Sequence, residues 1–495
     1  MMKQNEKYLK ATLGVEKLSL SLNSRFYPEL HFAAPAGWIN DPNGLIYFND
    51  KYHLFYQHYP YSGYRGPMHW GHAISDDLLH WQHLPVALVP GEKDDVHGVY
   101  SGSAIEHNDN MVLFYTGHKV VESSDNHCII KQVQMMATSR DGLNFEKLGV
   151  IITPPPHIQH FRDPKVWRDG DIWKMVVGVS EHGIGQVWLY TSTDLVNWQF
   201  KQVLLKAKEN QGWMWECPDF FQLGDKWVLV VSPMGMAADG FAYNNHFQVG
   251  YFVGRMENDQ YIVERDFTEL DNGLDLYAPQ TYAGITDRRI MLSWFSMPES
   301  KIPEQEDHWS TCLTFPREIT LSENNQLIQK PIAEISQLRK SLTQLEQLSL
   351  NDNQLILPVN GKQCELFIEI DLLNTQAERA GVLLAYDPQT HKGVRLYIDK
   401  QSKRLYLDRS STGFGPNGIR SIALPDGEKL SLRILTDKSS CEVFVNGGLS
   451  TLSARIYPNY SANHIALYAE NGLAKFSGVR CWQLQSIWIK PFPNM

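Results

Sequence analysis

Asn40-Asp41-Pro42-Asn43-Gly44-Leu45-Ile46-Tyr47-Phe48 runs through the turn Asn49-Asp50-Lys51 into Tyr52-His53-Leu54-Phe55-Tyr56. A polar cluster opens this stretch, and two apolar segments follow, hinged on polar residues. The same form returns at Arg162-Asp163-Pro164-Lys165-Val166-Trp167, which turns at Arg168-Asp169-Gly170-Asp171 into Ile172-Trp173-Lys174-Met175-Val176-Val177. It returns again at Glu216-Cys217-Pro218-Asp219-Phe220-Phe221, with Gly224-Asp225-Lys226 before Trp227-Val228-Leu229-Val230-Val231. Weaker copies begin at Ser101-Gly102-Ser103 and at Tyr277-Ala278-Pro279-Gln280. The anchors Asp41, Ser101, Asp163, Glu216 and Tyr277 stand 60, 62, 53 and 61 residues apart. A recurrence of this size marks a repeated supersecondary unit.

A second pattern, Ser-x-Asp-x-x-x-aromatic, interleaves with the first. It occurs at Ser75 to Trp81, Ser139 to Phe145 and Ser192 to Trp198. Its Ser and Asp side chains can bond the backbone of a turn, and its aromatic ring then starts or underlies the next strand. Five units of four short strands predict an all-β chain whose residues 25–330 form a five-bladed β-propeller. A large sandwich would not hold a fixed period, and a β-helix would need a shorter one.

Outside the repeat the texture changes. Residues 1–24 read as a helical packing arm. Residues 331–350 read as a short helix and a linker. Residues 351–495 read as a β-sandwich. There Leu366, Ile368, Ile370 and Leu372 share one strand face, and Glu365, Glu369 and Asp371 share the other, the period of a half-buried strand. Val394, Leu396 and Ile398 alternate likewise, Leu405 and Leu407 continue on a return strand, and Val443-Phe444-Val445 precedes the turn Asn446-Gly447-Gly448.

Composition narrows the function. With 45 Lys+Arg against 55 Asp+Glu the net charge is −10, which argues against a binder of nucleic-acid backbones. A hydrophobic content of 43% excludes a disordered chain. Aromatic residues make up 12%, a level that suits strands and sugar sites equally. Charged residues interrupt every apolar run near the N-terminus, and no stretch is long enough to span a bilayer. Six cysteines lie scattered without a CxxC pair. A cytoplasmic protein with free thiols and no membrane partner is therefore expected.

The chemistry lies in the acidic anchors. First strands of propeller blades line the central channel, so Asp41, Asp163 and Glu216 should converge at one end of it. Like charges brought together raise one another's pKa, which separates an ionised carboxylate from a protonated one. An ionised nucleophile beside a protonated acid is what cleavage of a glycosidic bond needs. Rival motifs are weaker. His69-x-x-His72 and His80-x-x-His83 lack a cysteine or carboxylate to complete a metal site. Gly183-Ile184-Gly185 lacks the third glycine of a dinucleotide loop. Cys217 has no Cys–His motif to activate it.

The flanking residues carry a resemblance. Trp38-Ile39-Asn40-Asp41-Pro42-Asn43-Gly44, Phe161-Arg162-Asp163-Pro164 and Trp215-Glu216-Cys217-Pro218-Asp219, in this order and spacing, resemble glycoside hydrolase family 32, the β-fructofuranosidases. Phe55-Tyr56-Gln57, His69-Trp70-Gly71-His72, Tyr100-Ser101-Gly102-Ser103, Leu276-Tyr277-Ala278-Pro279-Gln280 and Phe315-Pro316-Arg317-Glu318 are similar to the same family. So are Cys441-Glu442-Val443-Phe444-Val445-Asn446 and Arg455-Ile456-Tyr457-Pro458 near the C-terminus. The likeness is strongest to bacterial intracellular members acting on sucrose or sucrose 6-phosphate.

The resemblance implies a retaining enzyme without a cofactor or metal. Asp41 would be the nucleophile and Glu216 the general acid and base. Asp163 with Arg162 would grip the fructosyl hydroxyls. It also implies that Trp38, Asn40, Gln57, Trp70, Tyr100, Ser101, Tyr277 and Trp294 contact the sugar. Two positions depart from the usual family pattern: Tyr100 and Leu276 each stand where a Phe is common, which bears on fine specificity. Three questions stay open at this stage: whether the substrate is phosphorylated, whether fructans are cleaved or extended, and whether the propeller only binds sugar. An exposed sandwich face leaves room for a homodimer.

Overall fold

In the computed structural model, each repeat closes into one four-stranded antiparallel sheet. Residues 2–91, 93–124 and 127–488 are described. Met1 and residues 489–495, which the expectation placed in the arm and the sandwich, lie outside them. Blade 1 comprises Gly37–Phe48, Lys51–Tyr59, His69–Ser75 and Trp81–Leu88. Blade 2 starts at Val99–His107, blade 3 at His160–Asp169, blade 4 at Met214–Leu223 and blade 5 at Tyr277–Thr281. Consecutive first strands touch around the channel, and the fifth touches the first. Backbone bonds close the ring: Ala283 N donates to Leu45 O at 2.9 Å and Tyr47 N to Ala283 O at 3.0 Å. The short strand Trp309–Ser310 adds to blade 1, parallel to Gly37 and Trp38.

Blades stack face to face, so their second strands are covered on both sides. Val228, Leu229, Val230 and Val231 are all buried, which explains their unbroken apolar run. The outer strand Glu146–Ile152 alternates between exposed and half-buried positions. The Ser-x-Asp turns link third and fourth strands in blades 1, 2 and 3. Asp77 Oδ1 accepts from Leu79 N and His80 N at 2.9 and 2.8 Å, and Ser75 Oγ donates to it at 3.1 Å. Asp141 and Asp194 repeat the pattern.

The N-terminal arm is the helix Met2–Ser19. It lies on blade 1, with Ala11 buried against Val86 and Val89 and Lys7 Nζ donating to Gly91 O at 2.9 Å. Among the described residues no helix is long and apolar enough to cross a membrane.

The boundary between the domains differs from expectation. Residues 331–350 are not a linker. After the short turn Ala333–Leu338, residues Arg339–Asn351 form a long edge strand of the sandwich, paired with Leu473–Leu484. Pairing with a strand far along the chain outweighs the local Gln/Leu/Ser texture. Two six-stranded sheets make the sandwich. Leu366, Ile368 and Ile370 fill its core. Glu365 takes the opposite face as expected, yet it is buried beneath Arg339 and Arg433.

A buried ionic cluster locks sandwich to propeller. Glu442 of the sandwich accepts from Arg317 Nε at 3.0 Å and from Phe315 N at 2.8 Å in blade 5 and the segment before it. His31 bridges Asp437 at 2.8 Å and Glu442 at 2.9 Å.

Candidate active site

All five first strands carry a break in register near their starts. The slips fall between Ile39 and Pro42, Tyr100 and Gly102, Arg162 and Lys165, Glu216 and Asp219, and Tyr277 and Gln280. A bulge inserts an unpaired residue and re-aims its side chain. Pro164, Pro218 and Pro279 sit inside three of these slips, where no ladder N–H is needed, and Pro42, paired with Tyr56, closes a fourth. Asp163, Cys217 and Ala278, each just before such a proline, hold φ of 67°, 48° and 49°, a region that L-residues adopt at a cost of about 1–3 kcal/mol each. The bulge in blade 4 thus falls on Cys217, and Glu216 precedes it by one residue.

The bulges bring the three acids to one cleft of about 560 Å³ at the channel end. Asp41 is held by neutral donors. Ser101 Oγ donates to its Oδ2 at 2.6 Å and Asn40 Nδ2 to its Oδ1 at 3.1 Å, while Trp38 Nε1 donates to Asn40 Oδ1 at 2.9 Å. Glu216 faces a cation: its Oε1 accepts from Arg162 Nε at 3.0 Å and Nη2 at 2.9 Å. The Tyr277 hydroxyl donates to Glu216 Oε2 at 2.5 Å. Asp163 Oδ2 accepts the Cys217 backbone N–H at 2.9 Å and lies 4.0 Å from Arg162 Nε.

Glu216 and Asp163 therefore share one guanidinium, and Asp41 meets no cation among the described residues. Burial pushes Asp163 up to about 7; Arg162 opposes this, and the charges of Glu216 and Asp41 reinforce it. Burial also raises Asp41, against the pull of Ser101 and Asn40. The bond from Asn40 does not outweigh burial. Cys217 Sγ lies 3.5 Å from Asp41 Oδ2 and 3.6 Å from Asp163 Oδ2. Burial and those acids push its thiol far up. A thiol kept protonated is a poor nucleophile.

Of the residues expected to meet a sugar, Trp38, Asn40, Gln57, Tyr100, Ser101, Arg162, Tyr277 and Trp294 line the cleft. Trp70 does not. It is fully buried in the seam between blades 1 and 2, near Phe55 and Tyr115, and its Nε1 donates to Tyr100 O at 3.1 Å. Strand alternation in His69–Ser75 turns it into that seam. The two His-x-x-His motifs serve packing: His72 meets His53 at 3.0 Å, and His80 meets Asp77 at 2.8 Å.

The structure adds residues that sequence reasoning missed. Gln132 Oε1 accepts from Arg162 Nη1 at 3.2 Å and from Phe161 N at 2.9 Å. His160 Nδ1 accepts from Arg162 Nη1 at 3.1 Å. Gln132 and Gln134, polar and buried within an apolar strand, were a readable signal. Tyr64, Arg65, Glu299, Ser300, Lys301 and Gln305 form the cleft rim from irregular segments without a pattern to read.

Comparison with known proteins identifies the family. Residues 31–331 match the N-terminal domain of glycosyl hydrolases family 32, and residues 334–483 match that family's C-terminal domain. A sucrose-6-phosphate hydrolase of Escherichia coli is 46% identical over 473 residues, 95% of this chain and 98% of that protein. A raffinose invertase of Escherichia coli is 44% identical, covering 96% and 98%. The structure of a Bombyx mori β-fructofuranosidase in complex with sucrose superimposes with a TM-score of 0.86 at 31% identity, covering 98% of this chain and 100% of that one. Three of the five bulged strands carry the acids, and the two family domains together match residues 31–331 and 334–483: the chain belongs to glycosyl hydrolase family 32.

Proposed function

We propose that this glycoside hydrolase cleaves the β-fructofuranosidic bond of sucrose 6-phosphate, and of sucrose less efficiently, with retention of configuration. The observation that carries this reading is the unequal setting of Asp41 and Glu216 on one cleft. Asp41 touches only neutral donors and no cation among the described residues, so its carboxylate stays available to attack the anomeric carbon. Glu216 is the more accessible acid, its side chain 21% exposed against 5% for Asp163. It can give a proton to the leaving oxygen and later take one from water. The first step forms a fructosyl ester on Asp41 and releases the glucosyl unit; the second hydrolyses that ester. Arg162 and Asp163 hold fructosyl hydroxyls at the floor.

Phosphate specificity follows from the rim. Arg65 and Lys301 are exposed at the cleft mouth, and neither has an ion-pair partner among the described residues. Two such cations suit a phosphate on the protruding glucosyl unit. The relatives named as sucrose-6-phosphate hydrolases support the same substrate. Such a substrate is charged and does not cross a bilayer unaided, which fits a cytoplasmic enzyme.

The test compares kcat/KM for sucrose 6-phosphate, sucrose and raffinose. The reading predicts the phosphorylated sugar to lead, with Arg65→Ala and Lys301→Ala each narrowing its lead over sucrose about tenfold, the scale of one charge-assisted hydrogen bond. Equal values for the two sugars in the unaltered enzyme would overturn the phosphate assignment.

A further inference from the structure

The cleft rim is anchored from the other domain. Residues 296–311 leave blade 5 after the strand Ile290–Trp294 and carry Ser300, Lys301 and Gln305 to the mouth of the cleft. Within them the turn Pro303–Asp307 turns Glu304 inward, where it is fully buried. Its Oε1 accepts from Arg455 Nη2 at 2.9 Å and from the Tyr457 hydroxyl at 3.0 Å. Both donors belong to the sandwich. Arg455 Nη1 also reaches Phe295 O at 3.4 Å and Cys312 Sγ at 3.2 Å. Phe295 and Cys312 are the two ends of the excursion, joined by a backbone bond of 2.9 Å. One guanidinium thus spans the base of the segment and its buried turn. Its Nε and Nη2 are fixed in turn by Ser439 O and Oγ, both at 3.0 Å.

Buried Asp163 and half-buried Asp41 and Glu216 line the floor of the cleft, and Arg65 and Lys301 are exposed at its mouth. A disaccharide bound with its fructosyl unit at the floor therefore meets the rim with its leaving group. We infer that Arg455, a sandwich residue, is a positioning residue for the propeller's active site: through Glu304 it sets where Ser300, Lys301 and Gln305 meet the leaving group. This inference rests on the proposed hydrolysis of β-fructofuranosides. It gives the sandwich a part in substrate selection in addition to holding the fold.

The experiment uses the full chain with Tyr457→Phe, Glu304→Gln and Arg455→Lys, each checked by thermal melting. Kinetics are measured on sucrose 6-phosphate, sucrose and methyl β-D-fructofuranoside, whose leaving group is too small to reach the rim. Tyr457→Phe removes a single hydroxyl and keeps the guanidinium, so it tests the link even where Arg455→Lys fails to fold. The expected result for Tyr457→Phe and Glu304→Gln is a KM for sucrose 6-phosphate raised about tenfold with kcat nearly unchanged. The methyl fructoside should be cleaved as by the unaltered enzyme. Equal losses on all three substrates, or no change in KM in the folded variants, would overturn the inference. Failure of the unaltered enzyme to cleave any of the three would instead overturn the functional reading beneath it.

Discussion

Two buried ionic clusters in this molecule treat their carboxyls in opposite ways. At the channel end, Asp163 is pushed up to about 7 and Asp41 is raised. Between the domains, Glu442 is held down to about 2, Asp437 is lowered, and His31 is raised to about 9. Asp163, Glu442, Asp437 and His31 are buried and Asp41 is half-buried, so burial alone does not separate the clusters. Donors do. Glu442 takes Arg317, His31 and the Phe315 N–H, and Asp437 takes His31 with the N–H groups of Glu29 and Leu30. In the cleft, Glu216 and Asp163 share Arg162, and Asp41 has only neutral donors among the described residues. The interface satisfies its charges and gains rigidity; the cleft leaves its charges under-satisfied and gains groups able to react.

The largest expected effect comes from removing the proposed nucleophile. Asp41→Ala should lower kcat by about 10⁴-fold or more with no loss in melting temperature, because the group removed is itself an under-satisfied buried acid. Turnover of sucrose 6-phosphate within tenfold of the unaltered enzyme would erase the distinction between the clusters. Next, Arg317→Met takes the guanidinium away from Glu442 and from Asp271, whose Oδ2 lies 3.4 Å from Arg317 Nη1. Unfolding in urea should show a loss of about 3–5 kcal/mol, while kcat per folded molecule holds. An unchanged midpoint would mean that the interface cluster is not a lock.

Two pH dependences in different windows, both with stability falling as pH rises, sharpen the contrast. The His31 pKa rises from 6.5 to about 9 on folding, so its contribution is full below pH 6.5 and is lost as pH climbs through 9. The stability gap between the unaltered enzyme and His31→Gln should close over that window; a constant gap would contradict the ion pair. For Asp163, raised from 3.8 to about 7, the folded state binds the proton more tightly. The unaltered enzyme therefore loses stability relative to Asp163→Asn as pH rises from 3.8 to 7. At pH 8 the variant should melt about 2 °C or more higher and turn over far less. A lower melting temperature for the variant at pH 8 would show that Asp163 is well satisfied.

The same contrast explains what the sequence could reveal. The convergence of Asp41, Asp163 and Glu216 was legible because each opens a repeat with a polar cluster and a proline within two residues. The turns at Ser75, Ser139 and Ser192 were legible because their chemistry is local. Arg339–Asn351 was not: Leu342, Leu345 and Leu348 fall three apart, as on a helix, and the strand's partner lies at Leu473–Leu484. Trp70 sits in a family-like motif, but only strand alternation and its neighbours show that it faces a seam. The bond from Arg455 to Glu304 joins residues 151 positions apart, and no periodicity marks either one.

The central claim is that Asp41 forms a fructosyl ester that Glu216 helps to hydrolyse. The direct measurement is mass spectrometry of the Glu216→Gln variant after brief exposure to β-D-fructofuranosyl fluoride, a substrate whose leaving group needs no acid. The variant should accumulate one fructosyl unit on the peptide containing Asp41, because the base for the second step is gone. Absence of the adduct with the fluoride consumed, or its appearance on a peptide without Asp41, would contradict the account.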